Sequence, residues 1–263
     1  MNKQIASKNF ITLLELVEKL RGPDGCPWDQ EQTHESLLPY FLEETYEVLE
    51  SVDEKNWVTF QEELGDVLLH IALQCQIADE DGKFSIEDSI ETLNKKLIHR
   101  HPHVFSDKKI NGVNEVKKNW EEIKHSEKKR ESRLDGVPLA LPALTRAQRL
   151  QQKASYAGFD WDNIDGAWAK IDEEIEELKN AISNKDANNI QEEIGDVLFS
   201  VVNLSRFLKC PAEDMLRKTN MKFSDRFKKI EKELEAKGKT LEGSTLAEME
   251  EIWERVKVES RVK

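Results

Sequence analysis

The sequence predicts an all-α protein built as two tandem copies of one helical-bundle domain, and three observations lead there. Apolar residues recur at helical spacing along most of the chain, with no convincing strand alternation between them. Residues 43–70, EETYEVLESVDEKNWVTFQEELGDVLLH, align without a gap onto residues 173–200, EEIEELKNAISNKDANNIQEEIGDVLFS. The composition, 38% hydrophobic and 35% charged over 263 residues, suits thin cores with solvated faces and leaves room for two ordinary domains.

Taken in order, the first helix is predicted over 8–21, where Ile11, Leu14, Val17 and Leu20 share a face; RGPDGCPW then stops it with Gly and Pro. Two longer helices follow over 36–52 and 57–80, joined by the short turn SVDEKN. A fourth covers 85–99, opened by Ser85 with Asp88 three residues on, an N-cap signature. The second copy repeats this plan. Trp28 and Asp29 are answered by Trp161 and Asp162, the run Asn94, Lys96, Arg100 by Asn220, Lys222, Arg226, and Trp120 by Trp253. The copies therefore span 1–125 and 140–263. Residues 126–139, charged and then punctuated by Pro and Gly, are expected to link them.

A net charge of −13 argues against nucleic acid held on a general basic surface; an anionic ligand would need local cations. Cys26, Cys75 and Cys210 are too scattered to form a metal-ligand pair and fit a reducing cytoplasm. No signal-peptide core and no run near the 18 or so apolar residues of a membrane span is visible, so a cytoplasmic protein without a membrane partner is expected.

The informative conflict lies in EEIGDVLFSVVNLSRF, residues 192–207. Ile194, Val197, Leu198, Val201 and Val202 read as a face that binds the helix to its neighbours, yet Glu193 and Asp196 sit among them. Residues three and four apart share a helix face, so Glu193 projects with Asp196, and Glu174 with Glu177 on the preceding helix. A short turn makes these helices antiparallel and lets the acidic pairs meet. The first copy offers Glu44, Glu47, Glu63 and Asp66. Carboxylates facing one another repel and must take up protons or bind cations; all-oxygen sets favour Mg²⁺ or Mn²⁺, and Mg²⁺ typically bridges to phosphates. Gly65 and Gly195, inside helices, each cost about 1 kcal/mol against Ala, which predicts a close helix approach there. A di-iron bundle would need a Glu-x-x-His from each of two helices. Glu31 to His34 and Glu122 to His125 have that spacing, but neither lies within the predicted helices that carry the acidic pairs, and the second copy has no histidine.

Two acidic motifs, Glu173-Glu174-Ile175-Glu176-Glu177 with Glu193-Ile194-Gly195-Asp196 and their first-copy twins Glu43 to Glu47 and Glu63 to Asp66, resemble the MazG family of all-α nucleoside triphosphate pyrophosphohydrolases. The stretches GCPWD, HRHPHVF and NWEEIK extend the resemblance over nearly the whole chain. It implies Mg²⁺-dependent hydrolysis of a nucleoside triphosphate to the monophosphate and pyrophosphate, with Mn²⁺ a possible substitute, broad base specificity and a nucleotide-pool house-cleaning role. It also implies a homodimer, metal ligation by Glu174, Glu177, Glu193 and Asp196, and catalysis in the second copy. On that reading Lys222 and Arg226, which share a helix face, hold phosphate, as would Lys96 and Arg100 in the first copy. Lys170 is a further phosphate candidate, Asn220 could orient a phosphate or a carboxylate, and Trp253, like Trp120, could stack on a base or ribose. Glu173 or Glu192 would accept the proton from attacking water. The alternative is a helical scaffold that binds nucleotides or a partner without turnover.

Overall fold

The chain is described by a computed structural model that places residues 1–106, 109, 112–128 and 130–259. These residues form helices and connecting turns with no strand. The chain divides into two compact units, residues 1–110 and 111–263. The first holds α1 (Lys3–Arg21), α2 (Pro27–Glu31), α3 (His34–Asp53), α4 (Trp57–Glu80), α5 (Ile86–Arg100) and α6 (Pro102–Phe105). The second holds α7 (Val113–Glu127), α8 (Ala143–Tyr156), α9 (Ile164–Asn184), α10 (Ala187–Phe207), α11 (Ala212–Ala236) and α12 (Leu246–Glu259).

Capping sets the starts. The Asn2 side chain accepts from the backbone of Gln4 and Ile5, which moves α1 five residues ahead of the predicted start. Thr33 and Ser36 form a capping box at α3, and Ser85 and Asp88 form the expected one at α5. Each unit is centred on a helical hairpin, α3 with α4 and α9 with α10. The hairpin turns match across the repeat. Lys55 (φ 57°) and Lys185 (φ 55°) both take the left-handed conformation, and Asn56 and Asp186 then cap the following helix. A helix ending in a single left-handed residue reverses the chain within a few residues, so the paired helices run antiparallel.

The cores are small, as the composition implies. In the first unit Val17, Leu37, Ala72, Leu73 and Ile77 join α1, α3 and α4. In the second, Ala167, Ile171 and Leu204 join α9 to α10, while Ile230, Leu234, Ile252 and Val256 join α11 to α12.

Three details differ from the sequence reading. Ile194, Leu198 and Val201 are exposed, and only Val202 of that run is fully buried. The stripe therefore does not bind α10 to its own chain; it is an apolar face left open. A Cβ on Gly65 or Gly195 would meet nothing within 4 Å, so neither glycine serves a close approach inside its unit. The third concerns α7, assigned by the repeat to the first copy and the start of the linker. It belongs to the second unit, where Glu121 pairs with Lys153 at 2.9 Å and Arg149 at 3.2 Å on α8. Lys129 of the linker and residues 260–263 lie outside the described residues.

Candidate active site

The α9–α10 hairpin delivers the acids. One carboxylate oxygen from each of Glu174, Glu177 and Glu193 lies within 4.8 Å of the others. Glu174 is buried, and the Oε2 of Glu193 is buried with no hydrogen-bond partner. Burial first, and then the charges of Glu177, Glu174 and Asp196, raise the Glu193 carboxyl above its usual range. Asp196 stands outside the tight trio but lines a cleft together with Glu174. The charge is partly relieved from within: Lys170 lies 2.8 Å from Glu173 and 2.7 Å from Glu174, and hydrogen bonds to the two hold its ammonium above the usual lysine range. An oxygen-only donor set with a buried, unpartnered oxygen fits a hard divalent cation.

The first unit builds a related centre. Oxygens of Glu44, Glu63 and Asp66 lie within 4.8 Å of one another. Burial, with Glu47, Asp66 and Glu63 nearby, pushes the Glu44 carboxyl up to about 7. Burial also raises Glu63, reinforced by its hydrogen bond and charge contact with Glu47. Where the second unit has Lys170, the 130-residue register puts Tyr40, so no ammonium sits at that point.

The expected phosphate ligands form a separate group on α11 and α12. Asn220 and Lys222 are exposed. Arg226 sits with its guanidinium carbon 5.4 Å from the centre of the Trp253 ring, and its Nε is buried without a partner. Trp253 also packs on Phe223 at 5.3 Å and joins the α11–α12 core. Among the described residues no ion pair ties Lys222 or Arg226 to the four carboxylates. Glu173 and Glu192 are both exposed. In the first unit Lys96 is exposed and Arg100 buried, while Trp120 belongs to the second unit.

A feature absent from the sequence reading adjoins the second unit's acids. A cleft of about 630 Å³ opens between α8, α10 and the 158–161 turn, and Lys170, Glu174 and Asp196 also line it. Phe159, Trp161 and Phe199 contribute apolar surface, and Gln151, Asn203 and Arg206 contribute polar groups. Arg206 is fixed by Asp160, with bonds of 2.9 and 2.5 Å. A mostly apolar cavity of this size with a few fixed polar groups is of the kind that seats a small organic ligand.

Helical hairpins that bring carboxylates together, one in each unit, define an all-α protein with two candidate centres for a hard cation. A family description, MazG nucleotide pyrophosphohydrolase domain, matches residues 32–105 and again 166–231, covering both hairpins. A nucleoside triphosphate pyrophosphohydrolase/pyrophosphatase MazG from Thermotoga maritima is 50% identical over 250 residues, 94% of this chain and 95% of that protein. A nucleoside triphosphate pyrophosphohydrolase from Escherichia coli is 42% identical over 253 residues, 93% and 95% of the two chains. A solved structure described as a mazG-related protein from Thermotoga maritima covers 43% of this chain and 96% of its own, at 34% identity and a TM-score of 0.38. The chain belongs to the MazG family of nucleotide pyrophosphohydrolases.

Proposed function

We propose that the second unit cleaves nucleoside triphosphates of broad base identity to the monophosphate and pyrophosphate, with Mg²⁺ as the ion and Mn²⁺ as a substitute. The observation that carries this reading is the meeting of Glu174, Glu177 and Glu193 within 4.8 Å, with Glu174 also lining the cleft. Those three and Asp196 would hold the ion. A bound divalent ion supplies an acidified water and charge neutralisation on the phosphates. Glu173 or Glu192, both exposed beside the ligands, accepts the proton. Lys222 and Arg226 take phosphate charge that the ion leaves over, and Asn220 orients a phosphate oxygen. Trp253 acts through Arg226, whose guanidinium it carries on its ring. Lys170 holds Glu173 and Glu174 in the free protein and is available to phosphate once they are engaged.

The first copy, with its own Glu44, Glu47, Glu63 and Asp66 and the cations Lys96 and Arg100, has a structural or regulatory part in this reading. The sequence copies in this reading are residues 1–125 and 140–263, with α7 of the first copy packing in the second compact unit. A homodimer accounts for the open apolar faces: Ile194, Leu198 and Val201 on α10, and Leu64, Leu68 and Ile71 on α4, are all exposed. No helix of the described residues is long and apolar enough to cross a membrane. A cytoplasmic enzyme that clears surplus or aberrant nucleotides fits this and the three free cysteines. The deciding experiment measures pyrophosphate from a panel of nucleoside triphosphates with Mg²⁺, on the wild type and on Glu63→Ala and Glu193→Ala. Activity lost only in Glu193→Ala supports the assignment to the second unit. Nucleotide binding without turnover in the wild type would leave a scaffold.

A further inference from the structure

We propose that Gln151 and Asn203 read the hydrogen-bonding edge of the nucleobase inside the second unit's cleft. The inference rests on the reading of that cleft as the seat of the nucleotide, and extends it to residues that decide what is accepted.

Gln151 on α8 is 8% exposed. Its Nε2 donates to the backbone oxygen of Phe199 at 2.8 Å, which fixes the amide and leaves Oε1 as an acceptor. That oxygen is buried and has no partner. Asn203 on α10, also 8% exposed, accepts from Arg206 Nε at 2.9 Å through Oδ1, which leaves its Nδ2 as a donor. Residues 199 and 203 stand one turn apart on the same face of α10, so Gln151, tied to the Phe199 oxygen, and Asn203 line the same stretch of cleft. The cleft wall therefore carries a buried amide oxygen without a partner and, from the next turn of α10, an amide nitrogen whose own oxygen is already engaged, with Phe159, Trp161 and Phe199 lining the same cleft.

The molecule contains its own control. In the 130-residue register Asn203 corresponds to Leu73, which is 3% exposed and packs with Val17 and Leu37 in the first unit's core. The first unit's hairpin thus takes leucine at this position, whereas in the second the amide oxygen holds Arg206. Phe199, Ser200 and Arg206 likewise stand where the first unit has Leu69, His70 and Gln76, while the acids on the same helix are shared. Burying an amide oxygen without a partner is unfavourable, so Gln151 Oε1 in a cleft that reaches the acidic centre points to a ligand that completes it.

An acceptor beside a donor complements any ring edge that sets an N–H next to an acceptor. Adenine and cytosine offer an exocyclic amine beside a ring nitrogen; guanine and uracil offer a ring N–H beside a carbonyl. The pair therefore admits each standard base and selects against a ring with no N–H on its edge, because Gln151 Oε1 would stay unpartnered.

The test compares adenosine monophosphate with purine riboside monophosphate, which lacks the amine, by calorimetric titration of the full chain. The same bases are compared as triphosphates by kcat/KM for pyrophosphate release. The wild type is expected to favour the adenine compounds by about tenfold or more. Gln151→Leu and Asn203→Leu should weaken adenine binding, leave purine binding nearly unchanged, and bring the preference within about twofold of unity. Asn203→Leu installs what the first unit already tolerates, so it guards against a misfolded Gln151→Leu. Equal binding of both monophosphates by the wild type, failure to bind either, or an unchanged preference in both variants overturns the inference. A monophosphate preference without pyrophosphate release would instead refute the hydrolysis reading and leave the base-reading pair standing.

Discussion

Lys170 and Glu174 lie one turn apart on α9 with Nζ 2.7 Å from a carboxylate oxygen, so the residue best placed to hold a cation already has one as a neighbour. The ammonium occupies charge that an incoming ion must take over. Lys170→Met should raise the apparent affinity for Mg²⁺ and lower stability without the ion. The stability loss is expected at roughly 0.5–1 kcal/mol, the range for an ion pair with one solvent-screened partner. Ion titration by calorimetry and ion-free melting check the two effects. A drop in ion affinity would mean that Lys170 organises the acids rather than competing for them.

Glu193→Ala removes a site carboxylate with a buried, unpartnered oxygen. Turnover should fall at least a hundredfold, equivalent to about 2.7 kcal/mol of barrier. Ion-free melting should hold or rise, because a repelling charge has gone, and stabilisation by added Mg²⁺ should disappear. A variant that unfolds without the ion would contradict this account.

Glu44 sets a pH dependence on the first unit. Its carboxyl is pushed from the usual 4.5 up to about 7 in the folded state, chiefly by burial. The folded protein therefore prefers the protonated form. The resulting stability is fully present below 4.5 and is lost as pH rises through about 7. Ion-free melting curves across that interval should show the decline, and Glu44→Gln should flatten it. A variant with the wild-type slope would assign the decline to other groups.

Leu198→Glu puts a charge on the open face of α10, where leucine is 54% exposed. Sedimentation equilibrium should show a dimer for the wild type and a monomer, or a much weaker dimer, for the variant. A wild-type monomer would leave that face without an explanation.

Much of the fold was legible because hairpins advertise themselves: the acidic pairs, the cap at Ser85 and the repeated register all rest on short-range spacing. The meeting of Glu174 with Glu193 followed from a turn too short to allow anything but reversal. What sequence spacing cannot separate is an apolar face that packs on its own chain from one left open, which is why Ile194, Leu198 and Val201 were misread. Nor does a repeat decide which unit a terminal helix joins; α7 was settled by the buried pairing of Glu121 with Lys153, 32 residues away. The Gln151 and Asn203 pair escaped because single amides carry no spacing signal. The substitution of Asn203 for Leu73 within an otherwise matched helix was the one clue available.

The left-handed residues at Lys55 and Lys185 have a consequence for how this hairpin can vary. Each turn fixes the rotational phase of the second helix against the first. One residue added within α10 between this turn and Glu193 would advance Glu193 and Asp196 by about 100° and swing them away from Glu174 and Glu177, leaving two intact helices with nothing between them to hold an ion. The stretch from the turn to Glu193 is thus the calibrated part of the device. Chain length there is far less free than side-chain identity on the two helices.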